Sequence, residues 1–463
     1  MSTGFEQRLT QVLAREIPGF KSLSNCLQLT AGASQETYRV NVDTDKGERT
    51  FALRRAQPLL EDASTLGGIS LETEATLLRL ADGAGVPVPS VAYVLQPNDE
   101  LGSGFLMQWL EGETLGQRIV RSDELADIRP ALARQCGEAL GRIHSIDWAR
   151  AGLQERLPAL SPEELVDRTF QSYRDLDAPA PMIDYCWRWL KENLPSSYRQ
   201  ALVHGDFRNG NLMITPEGIS AVLDWELAQI GDPLRDLGWL CVNSWRFGQT
   251  DLTVGGFGTL DELLAGYETT AGISVSREDV LFWQVFGSFW WATATLQMAG
   301  SWRSGETPSL ERPVIGRRSS EAQMDCVNLL IPGDYQLPDT GRALSEGTQL
   351  PMPAELISGV IDFLKHTAAE QLDPPNSFLA KVAANSLGIA SRELSCGPEL
   401  ASAEKKRLSQ LLDRAGTLDE LRCALVNALR DGLPLHTPNL DHHLRQTVAG
   451  QLAIDQPRYS ALH

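Results

Sequence analysis

Cysteine chemistry is thin in this chain of 463 residues. Its seven cysteines (26, 136, 186, 241, 326, 396 and 423) are odd in number and never spaced C-x-x-C. That pattern excludes a cysteine zinc site and predicts a reducing compartment. No run of 18 uncharged apolar residues occurs, and no basic start leads into an apolar run, so neither a membrane span nor a secretory signal is expected. The expectation is a cytoplasmic protein without a membrane partner. Positive charge is scarce: 41 Lys and Arg stand against 60 Asp and Glu, a formal net charge of -19. A nucleic-acid partner needs a basic face, so none is expected. Also missing is G-x-x-x-x-G-K-[ST], which excludes a P-loop nucleotide site. There is no internal repeat and no low-complexity tract. What remains is 42% hydrophobic, with 11 Trp, a globular composition long enough for two or three domains.

Within that chain, chemistry concentrates between residues 202 and 226. Three short apolar runs (Leu202-Val203, Leu212-Met213-Ile214 and Ile219 to Leu223) alternate with polar tips, the way short strands deliver side chains to a cleft. The tips carry Asp206, Asn211 and Asp224. Phosphoryl transfer from Mg-ATP requires such a set. One carboxylate accepts the proton of the attacking hydroxyl, while an amide and a second carboxylate hold Mg2+.

His204-Gly205-Asp206, with Asn211 five residues on, and then Leu223-Asp224-Trp225-Glu226 resemble the aminoglycoside phosphotransferase and choline kinase group of small-molecule kinases. That group looks like protein kinases, with H-R-D-x-x-x-x-N and D-F-G in the corresponding places. The resemblance implies an α+β, two-lobed, kinase-like fold. It makes Asp206 the catalytic base and Asn211 and Asp224 the Mg2+ ligands, and it puts Arg208 against the γ-phosphate.

Upstream, Phe5, Leu9, Val12 and Leu13 are spaced as on a helix that ends before Pro18. Leu27 to Thr30, the small residues 31–37 and the alternating run 38–42 predict a hairpin. In the resembled family that hairpin covers the ATP phosphates through backbone N–H groups, with Gly32 and Ser34 at its tip. The family often shows two glycines and an Asn there, where this chain has only Gly32 and Gln35. On the next strand, family members keep a Lys or Arg for the α- and β-phosphates. Arg54 is the candidate and Arg55 its rival, since a period of two lets only one face the cleft. Glu74, on the helix predicted over 71–80, is the partner. Gln108 to Leu110 sit where the family hinges its lobes and pairs adenine with the backbone.

Downstream, residues 131–146 predict a helix with Leu132, Cys136, Leu140 and Ile143 on one stripe; His144 near its end is assigned no catalytic role. Asp232 suits a helix cap and Pro233 the first helical position. Asp236 resembles a family position whose carboxylate braces the catalytic loop, and helix-dipole chemistry is an equally good reading. Residues 281–298 are dense in aromatics, and Trp283, Phe286, Trp290 and Ala294 at helical spacing read as core rather than a cation box. The next helix is expected from Arg317 to Leu330. Residues 332–353 are loop-rich and read as a linker. The tail is expected to be helical, with stripes at Leu356, Val360, Phe363 and Leu364; at Leu418, Leu421, Leu425 and Leu429 behind a Thr417–Glu420 capping box; and at Leu440, Leu444, Val448 and Leu452. His436, His442 and His443 are assigned to a solvated face. The tail resembles a helical domain of unassigned function appended to bacterial phosphotransferases.

The expected division is an N-terminal lobe over 1–107, a C-terminal lobe over 108–335 and an all-α domain over 352–463. The expected reaction moves the γ-phosphoryl group of ATP to a hydroxyl of a small molecule. No A-P-E segment follows Asp224, which argues against a peptide acceptor. The wording around Arg54, Asp206 and Asp224 resembles the branch fused to acyl-CoA dehydrogenases, which implies a hydroxyacyl-CoA acceptor. An aminoglycoside is the alternative acceptor. A non-catalytic nucleotide-binding scaffold is the alternative class, against which the retained base and metal ligands argue. The tail is a candidate for homo-oligomer formation.

Overall fold

The computed structural model describes residues 3–29, 35–56, 68–176, 178–306, 309–338 and 351–462. The chain forms two compact units, one of residues 1–161, 197–241 and 245–283, the other of residues 162–196, 242–244 and 284–463.

In the first unit, helix α1 (Thr3–Glu16) buries Leu9, Val12 and Leu13. Their three- and four-residue spacing gives it one apolar face. Strands β1 (Phe20–Leu29), β2 (Gln35–Thr44) and β3 (Gly47–Ala56) follow, then helix α2 (Leu71–Gly83), β4 (Val91–Val94) and β5 (Gly104–Gln108). The five strands pair antiparallel in the order β1-β2-β3-β5-β4. Along β2, alternate residues Tyr38, Val40 and Val42 join Phe51, Leu53 and Leu106 against α1, as a pleat of period two requires. Ser70 caps α2, accepting from the Thr73 N–H at 3.2 Å.

After β5 the chain turns helical. Short α3 (Gly116–Ile119) and α4 (Arg129–His144) lead to α5 (Pro162–Arg174) and α6 (Pro181–Glu192), the latter two in the second unit. Two small antiparallel sheets then pair β6 (Ala201–Val203) with β9 (Gln229–Gly231), and β7 (Leu212–Thr215) with β8 (Gly218–Val222). Helices α7 (Leu234–Leu240), α8 (Leu260–Ala271) and α9 (Arg277–Arg303) follow. Helices α4 and α8 lie close because Gly137 allows it: a Cβ there would come 2.0 Å from the Leu263 carbonyl oxygen. The sheet-first, helices-after order is the expected α+β arrangement. Helix α9 buries Trp283 and Phe286 as core.

The second unit is helical, and its later members are α10 (Glu311–Arg317), α11 (Ser319–Leu330), α12 (Pro353–Phe363), α13 (Ala369–Gln371), α14 (Pro374–Leu411), α15 (Leu418–Arg430) and α16 (Leu440–Asp455). Thr417 and Glu420 form the expected capping box on α15. Leu421, Leu425 and Leu429 are buried, as are Leu440, Leu444, Val448 and Leu452.

Four local expectations are corrected. Pro233 holds the cap position of α7 and Leu234 opens it, although the Asp232 carboxylate still accepts from the Leu234 N–H at 2.9 Å. The helix expected from Arg317 to Leu330 breaks at Arg318 into α10 and α11. The stripe Leu356, Val360 and Phe363 stays exposed; no residue of α12 is buried, and its half-covered large apolar residues are Ile357 and Ile361. His443 lies not on a solvated face but buried at 2% exposure.

One polar group deep in the second unit joins distant helices. Asp184 is fully buried and accepts from Arg430 Nε at 2.6 Å and from the Tyr173 hydroxyl at 2.9 Å. Arg430 also lies over Phe170, which stacks on Trp187. A buried carboxylate stripped of its cation is strongly unfavourable. Arg430→Ala is therefore expected to lower stability by about 3–5 kcal/mol, read from the urea unfolding midpoint; an unchanged midpoint would show the pair to be dispensable.

Candidate active site

The loop between β6 and β7 is set by what it buries. Leu202, Val203 and Phe207 are fully buried, so Asp206 and Arg208, on either side of Phe207, are presented away from that core. Gly205 adopts φ +84°, and a Cβ there would sit 2.2 Å from the Leu227 carbonyl oxygen. Only glycine fits such a turn without strain.

Asp236 fixes the loop from beneath. Its carboxylate accepts the His204 N–H at 2.8 Å, the Gly205 N–H at 2.9 Å and His144 Nε2–H at 3.0 Å. Burial pushes this carboxyl up, but the His144 hydrogen bond and neighbouring charge outweigh it and hold it below the usual range. Of the two readings open for Asp236, bracing is the one its hydrogen bonds support, and His144 is its buried partner. His204 is fully buried, and burial lowers its pKa. It donates from Nε2 to the Leu223 carbonyl at 3.1 Å and accepts the Asp206 N–H at Nδ1, 3.2 Å away. The imidazole thus ties the Asp206 turn to the Asp224 turn.

Three N–H donors hold the Asp206 carboxylate. Oδ1 accepts from Arg208 Nε at 2.9 Å and Trp239 Nε1 at 2.7 Å, while Oδ2 accepts from Asn211 Nδ2 at 2.7 Å. A carboxylate offers about four lone-pair sites, so one on Oδ2 remains unused among the described residues. The Arg208 guanidinium lies 4.5 Å over the Trp245 ring, a cation–π contact. The sequence reading did not single out Trp239 or Trp245. A signal existed for Trp239: it lies three residues after Asp236, on the same face of α7.

The second cluster surrounds Asp224, which holds φ +63°, a left-handed conformation that Asp tolerates better than most residues. Arg54 reaches Asp224 Oδ1 at 2.7 Å and Glu74 Oε1 at 2.9 Å, with Glu226 at 3.8 Å. Its Nε donates to Gln35 Oε1. Arg55 points to the other face of β3, pairing with Glu36 at 2.8 Å and lying over Phe5. Burial pushes the Glu74 carboxyl up to about 7, against the pull of Arg54. Burial would lower Arg54, but Glu74 and Asp224 more than offset it. Glu226, raised by burial and by Asp224, completes an acidic rim that the sequence reading quoted without assigning a role.

Asn211 stands between the clusters. Its Nδ2 is committed to the Asp206 carbonyl and carboxylate, at 2.9 and 2.7 Å, which leaves Oδ1 as the atom free to face a cation. Its backbone carbonyl accepts from the Leu223 N–H at 2.8 Å, bringing Asp224 alongside. One amide oxygen and one carboxylate suit Mg2+, which keeps several waters. No three of His, Cys, Asp or Glu converge on a metal site among the described residues.

Gly32 and Ser34 fall outside the described residues. Gln108 ends β5 and is exposed, with Leu110 half-buried two residues on. The N–H groups of Gln108 and Trp109 donate to the carbonyls of Ser90 (2.9 Å) and Thr50 (3.3 Å).

Comparison with known proteins places this site in context. A family model described as "Phosphotransferase enzyme family" matches residues 25–273, and one described as "Domain of unknown function (DUF6285)" matches residues 370–459. A crystal structure from Ralstonia eutropha, provisionally named an aminoglycoside phosphotransferase, superposes with a TM-score of 0.57 at 21% identity, covering 69% of this chain and 96% of that one. Acyl-CoA dehydrogenase family member 10 of Mus musculus is 29% identical over 267 residues, 53% of this chain and 24% of the mouse protein. Family member 11 of Gallus gallus is 27% identical over 400 residues, 80% of this chain and 47% of the chicken protein. The chain thus spans less than half the length of these curated relatives. The phosphotransferase match covers more than half of the 463 residues and takes in Arg54, Glu74, Asp206, Asn211, Asp224 and Asp236, so the chain belongs to the phosphotransferase enzyme family.

Proposed function

We propose that this chain transfers the γ-phosphoryl group of ATP to a hydroxyl of a hydroxyacyl thioester. The observation that carries the transfer is the Asp206 carboxylate, held by three N–H donors with one Oδ2 lone pair unused among the described residues. The acceptor hydroxyl binds that lone pair and gives up its proton to Asp206 as its oxygen attacks the γ-phosphorus. The bond to the β–γ bridging oxygen breaks and ADP leaves with it. Arg208 and Arg54 balance phosphate charge, and Glu74 aims Arg54. Asn211 Oδ1 and Asp224 would hold Mg2+, which neutralises the triphosphate when bound. With the N–H groups of Gln108 and Trp109 engaged, the Leu110 N–H is the hinge donor for adenine. This reading keeps the lobe boundary between residues 107 and 108 and treats 352–463 as an accessory domain.

The acyl-CoA part rests on the curated relatives, whose names state that they are acyl-CoA dehydrogenase family members. The coupling is chemical: a dehydrogenase acts on acyl thioesters, and a hydroxylated one is the substrate type a kinase could activate alongside it.

The test is transfer of labelled γ-phosphate, with Mg2+, to a panel of hydroxyacyl-CoAs, with aminoglycosides, amino alcohols and sugars as comparators. A labelled hydroxyacyl-CoA is expected; a labelled aminoglycoside alone would replace the acceptor. ATP binding without transfer to any comparator would favour a scaffold. Asp206→Asn is expected to cut turnover by about 10²–10⁴, the worth of a general base, and near-normal turnover would place the base elsewhere. Glu74, with its pKa near 7, is ionised above that pH and neutral below it. Turnover is therefore expected to fall as pH drops through about 7, as Arg54 loses its charged partner. Glu74→Gln should lie low and flat across the same range; an unaltered pH profile in that variant would remove Glu74 from the assignment.

A further inference from the structure

The C-terminal helical domain holds polar groups that nothing in the phosphotransfer site uses. His443 on α16 is 2% exposed, and among the described residues neither ring nitrogen has a hydrogen-bond partner. An imidazole carries one N–H donor and one acceptor when neutral, and leaving both unmet in the interior is costly. The charges of two guanidiniums on other helices, Arg407 on α14 and Arg422 on α15, act on it, as does that of the adjacent His442. Burial, reinforced by those charges, pushes His443 down to about 3.

The carboxylate within reach is already used. Both Glu404 oxygens accept from Arg422, at 2.7 and 2.6 Å. Among the described residues, Arg407 Nη2 donates only to the neutral Thr447 hydroxyl at 3.1 Å, and its buried Nε has no partner. Arg407 therefore lacks a counter-ion of its own here, in a chain whose net charge is -19. The cluster reaches solvent through its arginines: the Arg422 side chain is 32% exposed and Arg407 is half-buried.

We infer that Arg407, His443 and Thr447 form a binding site for a small oxyanion, a phosphate group in the first instance, within the helical domain. Arg407 Nη2 on α14 meets the Thr447 hydroxyl at 3.1 Å, and His443 precedes Thr447 by four residues on α16, so the imidazole and the hydroxyl share one face of that helix, with charge from Arg422 on α15 acting on the same imidazole. A planar guanidinium suits phosphate or carboxylate oxygens. The site is independent of the proposed phosphoryl transfer and stands or falls separately.

The test is NMR of the side-chain nitrogens in the full chain labelled with ¹⁵N-histidine, His443 being identified by its loss in His443→Gln. Inorganic phosphate and acetate are titrated separately. The His443 signal is expected to shift saturably with phosphate while that of His436 does not. Arg407→Ala should weaken that titration roughly tenfold to a hundredfold, the range for a hydrogen bond to a charged group. Saturation with acetate alone would keep the site and reassign its ligand to carboxylates. A His443 signal unmoved by either anion, or an equal titration in Arg407→Ala, would overturn the inference. Should that variant lose its helical circular dichroism, Arg407→Gln, which keeps a long polar side chain, replaces it with the same expected loss.

Discussion

A single buried carboxylate sets the geometry of the active site. Asp236 takes two successive backbone N–H groups from the start of the catalytic loop and a third donor from His144. A charge in the interior is tolerable only when its lone pairs are met, and here they are met by the groups whose positions matter. The requirement works both ways. The loop satisfies Asp236, and Asp236 leaves the loop little freedom to place Asp206 anywhere else. Arg208 on Trp245 and Asn211 against Asp206 extend outward from that turn.

The Arg54 fork plays the equivalent part on the sheet side. It joins β3, α2 and the Asp224 turn through Glu74 and Asp224. A point-charge lysine would supply the same sign, but a planar guanidinium can address two carboxylates and Gln35 at once. The buried Glu74 depends on that pairing, since its environment otherwise favours the neutral acid. Charge state and lobe geometry are thus linked through one side chain.

Much of this was legible in the sequence, and the gaps have physical reasons. Asp206, Asn211 and Asp224 could be picked out because they sit at the ends of short apolar runs. Strand β2 could be placed because the alternation over 38–42 is regular, whereas β1, expected only from Leu27, runs from Phe20 to Leu29 with no such alternation. Arg54 could be preferred but Arg55 not dismissed, because period two says that one faces the cleft without saying which. Asp236 stayed between two readings because its partners are backbone groups some thirty residues upstream, which leave no mark in side-chain pattern. The burial of His443 and the exposure of Phe363 were both misjudged for one reason. A helical stripe shows that a face exists, while the neighbouring helix decides whether it is covered, and that neighbour lies far off in sequence.

The left-handed backbone at Asp224 separates two properties that a side-chain replacement usually confounds. Asparagine shares aspartate's tolerance of that conformation and differs from it mainly in charge. Alanine would have to bear the backbone strain as well as lose the oxygens. A comparison of the two replacements therefore reads electrostatics and turn geometry on separate axes. At Gly205 no such comparison is available, because any side chain collides with Leu227 whatever its charge.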